Sequence, residues 1–145
     1  MLSHHSGVSM KHLSLIIVFF SLLYCSCAEQ QIANAPPSTY YLSQNYPNPF
    51  TDTTVVEFGV PDIRPNAAPW IRIVVFDRFN QKQAILIDNA TQKAGQFKVT
   101  WYGKGADGFK VPPGVYYIEL EQINISVSSL GEEVFTLLRI AALKQ

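Results

Sequence analysis

The stretch Asn45-Tyr46-Pro47-Asn48-Pro49-Phe50, followed by Thr54-Val55-Val56-Glu57-Phe58-Gly59-Val60, decides how this chain folds. Two prolines within three residues fix their own φ and remove two backbone donors, and each biases the residue before it toward extended geometry. The first stretch is therefore neither a helix nor a central strand. By composition alone it reads as a Pro-rich connection, with Tyr46 and Phe50 placed to anchor a rigid entry on an apolar surface. The second stretch has period two: Thr54, Val56, Phe58 and Val60 share one face, and Pro61 ends the strand.

The same period recurs down the chain. Ile71, Ile73 and Val75 alternate with Arg72 and Val74. Asp77-Arg78-Phe79-Asn80 reads as a hairpin turn, with Asn80 able to take the left-handed conformation. Gln83 to Asp88 returns, Ala94-Gly95 turns, and Phe97, Val99 and Trp101 alternate with Lys98 and Thr100. A glycine-rich loop from Gly103 to Gly108 and Pro112-Pro113-Gly114 lead into Tyr116, Ile118 and Leu120. A polar excursion over 122–133 precedes the apolar run Val134 to Leu143. That run is compatible with helix by composition; we read it as a strand because a strand there completes a sandwich. About seven short strands with turn signals between them predict an all-β antiparallel sandwich. Its expected core is Val56, Phe58, Ile71, Ile73, Val75, Phe97, Val99, Trp101, Tyr116, Ile118 and Leu120.

Composition excludes several function classes. Lys plus Arg (11) equals Asp plus Glu (11), so the basic footprint of a nucleic-acid binder is missing. All three histidines (His4, His5, His12) and both cysteines (Cys25, Cys27) precede residue 28. A body without them has no histidine base, no Ser-His-Asp or Cys-His set, no ordinary zinc site and no internal disulfide. We therefore expect no enzyme, no cofactor and no metal.

Met10-Lys11-His12 and the apolar run Leu13 to Tyr24 read as the basic start and hydrophobic segment of a secretory signal, with Met10 the better start. The run is shorter than the roughly 20 apolar residues that span a bilayer. Two endings fit. Ser26-Cys27 resembles a loose bacterial lipoprotein site that makes Cys27 the lipidated first residue; Ser26-Cys27-Ala28 also fits a small-x-small site cleaved before Glu29. Gln30, Gln31, Asn34, Pro36 and Pro37 then mark a short extended linker.

Leu42-Ser43-Gln44-Asn45-Tyr46-Pro47-Asn48-Pro49-Phe50, with Thr53-Thr54 and Val56-Glu57-Phe58, resembles the opening of the C-terminal sorting domains of the bacterial type IX secretion system. It is also similar to the related immunoglobulin-like domain of flagellar hook-capping proteins. The resemblance continues through Val75-Phe76-Asp77, Asn80, Ala94-Gly95, Val99-Thr100-Trp101, Gly103, Gly108, Val111 and Gly114-Val115-Tyr116-Tyr117. It implies a non-catalytic immunoglobulin-like sandwich read by outer-membrane export machinery, at the cell surface, in the outer membrane or secreted, with a periplasmic location as the alternative. It also implies that Asn45, Tyr46, Pro47, Asn48, Pro49, Phe50, Arg139 and Lys144 contact that machinery. The organisation expected is an export signal over 1–27, a linker over 28–38 and the sandwich over 39–145. The alternative is an envelope lipoprotein, held by lipid on Cys27, whose sandwich is a structural or adhesive module.

Sharper chemical readings meet plainer ones. Glu119 and Glu121 point the same way on one strand about 7 Å apart, which invites comparison with a glycosidase carboxylate pair; we expect them to mark a solvated face instead. Gly103-x-Gly105-x-x-Gly108 has dinucleotide spacing but opens no helix, and Asp107-Gly108 reads as a turn. Asn89-Ala90-Thr91 and Asn124-Ile125-Ser126 are glycosylation sequons by pattern only. Tyr40, Tyr41, Tyr46 and Phe50 form either an exposed docking patch or, the favoured reading, packing on the sandwich edge.

Overall fold

The computed structural model describes residues 30–33, 35–62, 68–89, 91–126 and 131–145. The expected export signal, Cys27 and the middle of the loop after Pro61 lie outside the described residues.

Alternating apolar residues need a second apolar layer, and the chain supplies it with two antiparallel sheets. The strands are β1 (Gln30–Ala33), β2 (Tyr41–Leu42), β3 (Thr54–Val60), β4 (Trp70–Asp77), β5 (Lys82–Asn89), β6 (Gly95–Trp101), β7 (Gly114–Ser126) and β8 (Gly131–Lys144). One sheet has the order β1-β6-β3-β2 and the other β5-β4-β7-β8. Strands β2 to β8 form the expected all-β sandwich, and the terminal run is a strand as read. β1 lies in the stretch read as linker and pairs along the otherwise open edge of β6. An unpaired strand edge offers free N–H and C=O groups to any extended segment nearby.

Every residue expected in the core is buried. Aromatic rings fasten the two layers: Trp101 of β6 lies 5.2 Å from Phe50 and 5.2 Å from Tyr116 of β7, ring centre to ring centre. Phe58 and Phe97 stack at 5.4 Å within the first sheet. The Tyr116 hydroxyl donates to the Pro112 carbonyl at 2.7 Å, four residues upstream. That bond is the tyrosine corner of immunoglobulin-like sandwiches, and it fixes how the chain enters β7.

Two sequence expectations are corrected. The polar excursion does not interrupt the strands at 122–126 or 131–133. β7 runs on to Ser126 and β8 begins at Gly131, with Asn124 opposite Glu133 and Ser126 opposite Gly131. Backbone pairing with a partner strand holds polar residues extended where periodicity alone does not mark a strand. Glu119 and Glu121 do not mark a solvated face either, being 4% and 6% exposed. They lie on the side of β7 away from the core but under long neighbours. Arg139 of β8 ion-pairs with Glu119, the Thr136 hydroxyl donates to Glu119 at 3.0 Å, and Arg72 of β4 stands opposite Glu121.

Candidate functional site

The Pro-rich stretch lies along the free edge of the terminal strand. β8 is the last strand of its sheet, so its outer N–H and C=O groups need partners. The Phe50 N–H donates to the Leu143 carbonyl at 2.9 Å, and the Gln145 N–H donates to the Phe50 carbonyl at 2.8 Å. Asn48 works as a two-sided clip: its Oδ1 accepts the Leu143 N–H at 2.8 Å and its Nδ2 donates to the Ala141 carbonyl at 3.2 Å. Gln44 Nε2 adds a second bond to Ala141 at 2.7 Å. Residues 44–50 thus form a strap over positions 141–145.

The strap is held from below by residues composition does not single out. Asn45, 2% exposed, donates through Nδ2 to Thr54 Oγ1 at 2.8 Å and to the Pro47 carbonyl at 3.1 Å. Thr54 Oγ1 donates to the same carbonyl at 2.8 Å. A buried amide and hydroxyl satisfied this way fix one backbone path through the Pro-rich turn. Both X–Pro bonds, Tyr46–Pro47 and Asn48–Pro49, are cis. Tyr46 exchanges backbone hydrogen bonds with Val55 at 2.9 Å, which ties the strap's start to β3.

The expected contact residues therefore separate into two groups. Phe50 is a core residue, 2% exposed, and Lys144 is 7% exposed, with its side chain beside Gly103 and its backbone bridged to that of Phe50. Asn45 is enclosed as well. Tyr46, 81% exposed, with Pro47, Asn48, Pro49 and the cross-strand neighbours Val115 and Leu143, faces outward. Arg139 is half engaged: it pairs with Glu119, donates through Nη2 to Asn80 Oδ1 at 2.7 Å and lies 4.8 Å over the Tyr117 ring. The aromatic question divides likewise, with Tyr40 and Tyr41 half-buried on the edge, Phe50 inside and Tyr46 outside.

The glycine loop is built as a turn. Asp107 Oδ1 accepts the Phe109 N–H at 3.0 Å, and Gly103 and Gly108 take positive φ (61° and 82°). Among the described residues no group of three His, Cys, Asp or Glu side chains is placed to hold a metal ion. Asn89 of the first sequon donates its side-chain amide to Gln92 at 2.9 Å, and Asn124 of the second is exposed.

No family model matches the chain, and no curated protein matches it. The crystal structure of dimeric latent PorU from Porphyromonas gingivalis is similar to it, with a TM-score of 0.50 and 14% identity over 79% of this chain. The chain spans 10% of the length of that protein, and the likeness is one of fold.

Proposed function

We propose that this chain is an exported, non-catalytic module that acts in protein sorting or cell-surface attachment through protein–protein contacts with outer-membrane export machinery. The observation that carries the reading is the strap. The two parts that the type IX sorting resemblance singles out are the Asn45–Phe50 stretch and the terminal segment. They are far apart in sequence and are hydrogen-bonded into one outward surface. A terminal segment clipped in this way is offered as a folded shape rather than as a loose tail. The readable part of that shape is Tyr46, Asn48, Val115 and Leu143, while Phe50, Asn45 and Lys144 hold it in place.

The structure dictates how to test this. Replacing the last ten residues removes Ala142, which is fully buried, and unfolds the sandwich whatever its role. Surface changes are cleaner. Tyr46→Ala with Leu143→Ala is expected to leave the melting temperature within a few degrees and to remove the chain from the cell surface and medium. A doubly substituted chain that still folds and is still exported overturns the sorting reading. In that case, intact mass of a membrane-bound form starting at acylated Cys27 selects the envelope-lipoprotein alternative.

A further inference from the structure

The strap protects only part of the β8 edge. Leu143 and Ala141 turn backbone groups outward to Phe50, Asn48 and Gln44. Upstream of Ala141, no backbone group among the described residues bonds to the outer side of β8. Edge strands are ordinarily blunted by proline, lysine or another charge. From Val134 to Ile140 there is no proline, and the one charged residue is Arg139. Arg139 does not guard the edge. It leans back over the Tyr117 ring at 4.8 Å and pairs with Glu119 of its own sheet.

The apolar layer also runs out at this strand. Ile118 and Leu120 of β7 are fully buried, while their β8 neighbours Ile140 and Leu138 are only half-buried. Leu42, on the β2 edge of the facing sheet, is half-buried as well. Farther up the strand Val134 and Phe135 are 48% and 50% exposed. One more strand in this sheet would cover them.

The pattern of β8 itself decides which strand fits. Residues directly opposite in an antiparallel pair share a face. Leu138 stands opposite the core residue Leu120 and Phe135 opposite Gln122, so both lie on the core side. Arg139, Thr136 and Val134 stand opposite Glu119, Glu121 and Ile123, on the outer side. The register shift between Leu120 and Glu121 leaves Leu137 as an extra residue. It makes the order of faces a palindrome about the point between Thr136 and Leu137. A second β8 laid antiparallel on that point brings Leu138 opposite Phe135, core side to core side, and Arg139 opposite Val134, outer side to outer side. The alternation that turns Leu143 and Ala141 outward also turns the Arg139 N–H and C=O outward and, past the extra residue, those of Val134. The backbone groups therefore meet as well. The two Arg139 residues stand about 17 Å apart along the strands, so their charges do not oppose the pairing.

We propose that two copies of this chain join through their β8 edges, antiparallel about a twofold axis between Thr136 and Leu137, so that two four-stranded sheets become one. The inference does not rest on the sorting reading. The pairing ends where the strap begins, at Ala141. The contact is isologous and closes at two copies. Positions 134–139 give it a length of about 20 Å. That is the low end of specific interfaces, so the dissociation constant is expected on the order of 10–100 μM.

The test is sedimentation of the full chain in a mild non-ionic detergent, which shields the N-terminal apolar run common to every variant. The parent is expected to pass from monomer to dimer as concentration rises and to go no further. Val134→Lys with Phe135→Lys changes two exposed positions. It should keep the melting temperature within a few degrees and raise the dissociation constant by roughly tenfold or more. Engineered cysteines read the register, with Cys25→Ser and Cys27→Ser in every chain. Across the twofold, Leu138 and Phe135 form a non-hydrogen-bonded pair with Cα atoms about 4.5 Å apart, a separation a disulfide spans. An equal mixture of Leu138→Cys and Phe135→Cys chains should therefore crosslink on oxidation. Either chain alone, with its two thiols about 10 Å apart along the strands, should not. A parent that stays monomeric to roughly millimolar concentration overturns the proposal. If the lysine variant then also fails to be exported, the edge belongs to an extended segment of another protein. Dimers untouched by the lysines, growth beyond the dimer, or a mixture that crosslinks no better than either single variant overturn it too.

Discussion

Asn48 and Leu143 are joined side chain to backbone: Asn48 Oδ1 accepts the Leu143 N–H at 2.8 Å across 95 positions of sequence. The bond does for the terminal strand what a neighbouring strand would do. It satisfies an edge donor and so keeps that edge from pairing with other chains.

Asn48→Ala removes this bond and the one to Ala141 together. Both are at the surface, where water replaces a lost partner, so the cost is set by net hydrogen-bond values of about 1 kcal/mol each. The expected result is a modest fall in the urea midpoint. With it should come faster hydrogen exchange at Leu143, and unchanged exchange in the middle of β4. Exchange that speeds up evenly over the whole chain would contradict a local clip.

Phe50→Ala is the severe variant. The ring is 2% exposed and packs at 5.2 Å on Trp101, so truncation opens a cavity between the sheets as well as losing the burial. Substitutions of this kind cost about 3–5 kcal/mol. Chemical denaturation should show the loss in full, with Trp101 fluorescence changing in the native baseline. A loss below 1 kcal/mol would place Phe50 outside the core.

Much of this fold was legible because the strands have one buried face and therefore alternate. Val56 and Phe58, Ile71 and Ile73, or Val99 and Trp101 declare their inward side with no knowledge of the partner strand. What was not legible depends on distant residues. Glu119 and Glu121 sit at alternate positions that read as wet; what covers them is Arg139, Thr136 and Arg72, on other strands. Phe50 reads as the end of a Pro-rich connection until the Trp101 ring, in another strand, is placed beside it. One signal was available for the extended hairpin. Ile123 and Ile125 alternate with Gln122, Asn124 and Ser126, a period of two inside a segment read only as a polar excursion. For the site, the Pro-rich stretch and the terminal segment were both visible in the sequence. Their contact was not, because side-chain amides such as Gln44 and Asn48 have no periodic signature.

Gly59 faces Tyr41 across the β2–β3 ladder, and the tyrosine ring lies directly over it. A Cβ there would stand 2.1 Å from Tyr41 Cε1 and 2.8 Å from Pro37 Cγ, closer than atoms can approach. Gly59→Ala must therefore push the ring away, and β2, only two residues long, depends on that packing. The variant should expose Tyr41 to solvent and release residues 37–42 to proteolysis while β3 stays paired to β6. Proteolysis unchanged from the parent would show that the ring can move aside at little cost.

Glu121 is the pH-sensitive group of the second sheet. Burial is the larger cause that raises its pKa above the ordinary value of 4.5, and the Glu119 carboxylate beside it is the next; Arg72 and Lys82 offset part of the rise. The folded state therefore holds this proton more tightly than the unfolded chain does. The stabilisation from the neutral acid is complete below pH 4.5 and is lost as pH rises through the raised folded value. Glu121→Gln keeps the shape and fixes the neutral form. Its melting temperature should exceed that of the parent at pH 7, and the difference should close as pH falls below 4.5. Taking the difference between the two proteins cancels the other carboxylates, including Asp52, whose pKa the Lys110 hydrogen bond and charge lower. A variant less stable than the parent at pH 7 would mean that the Glu121 charge is held favourably by Arg72, and that its burial is not a net cost.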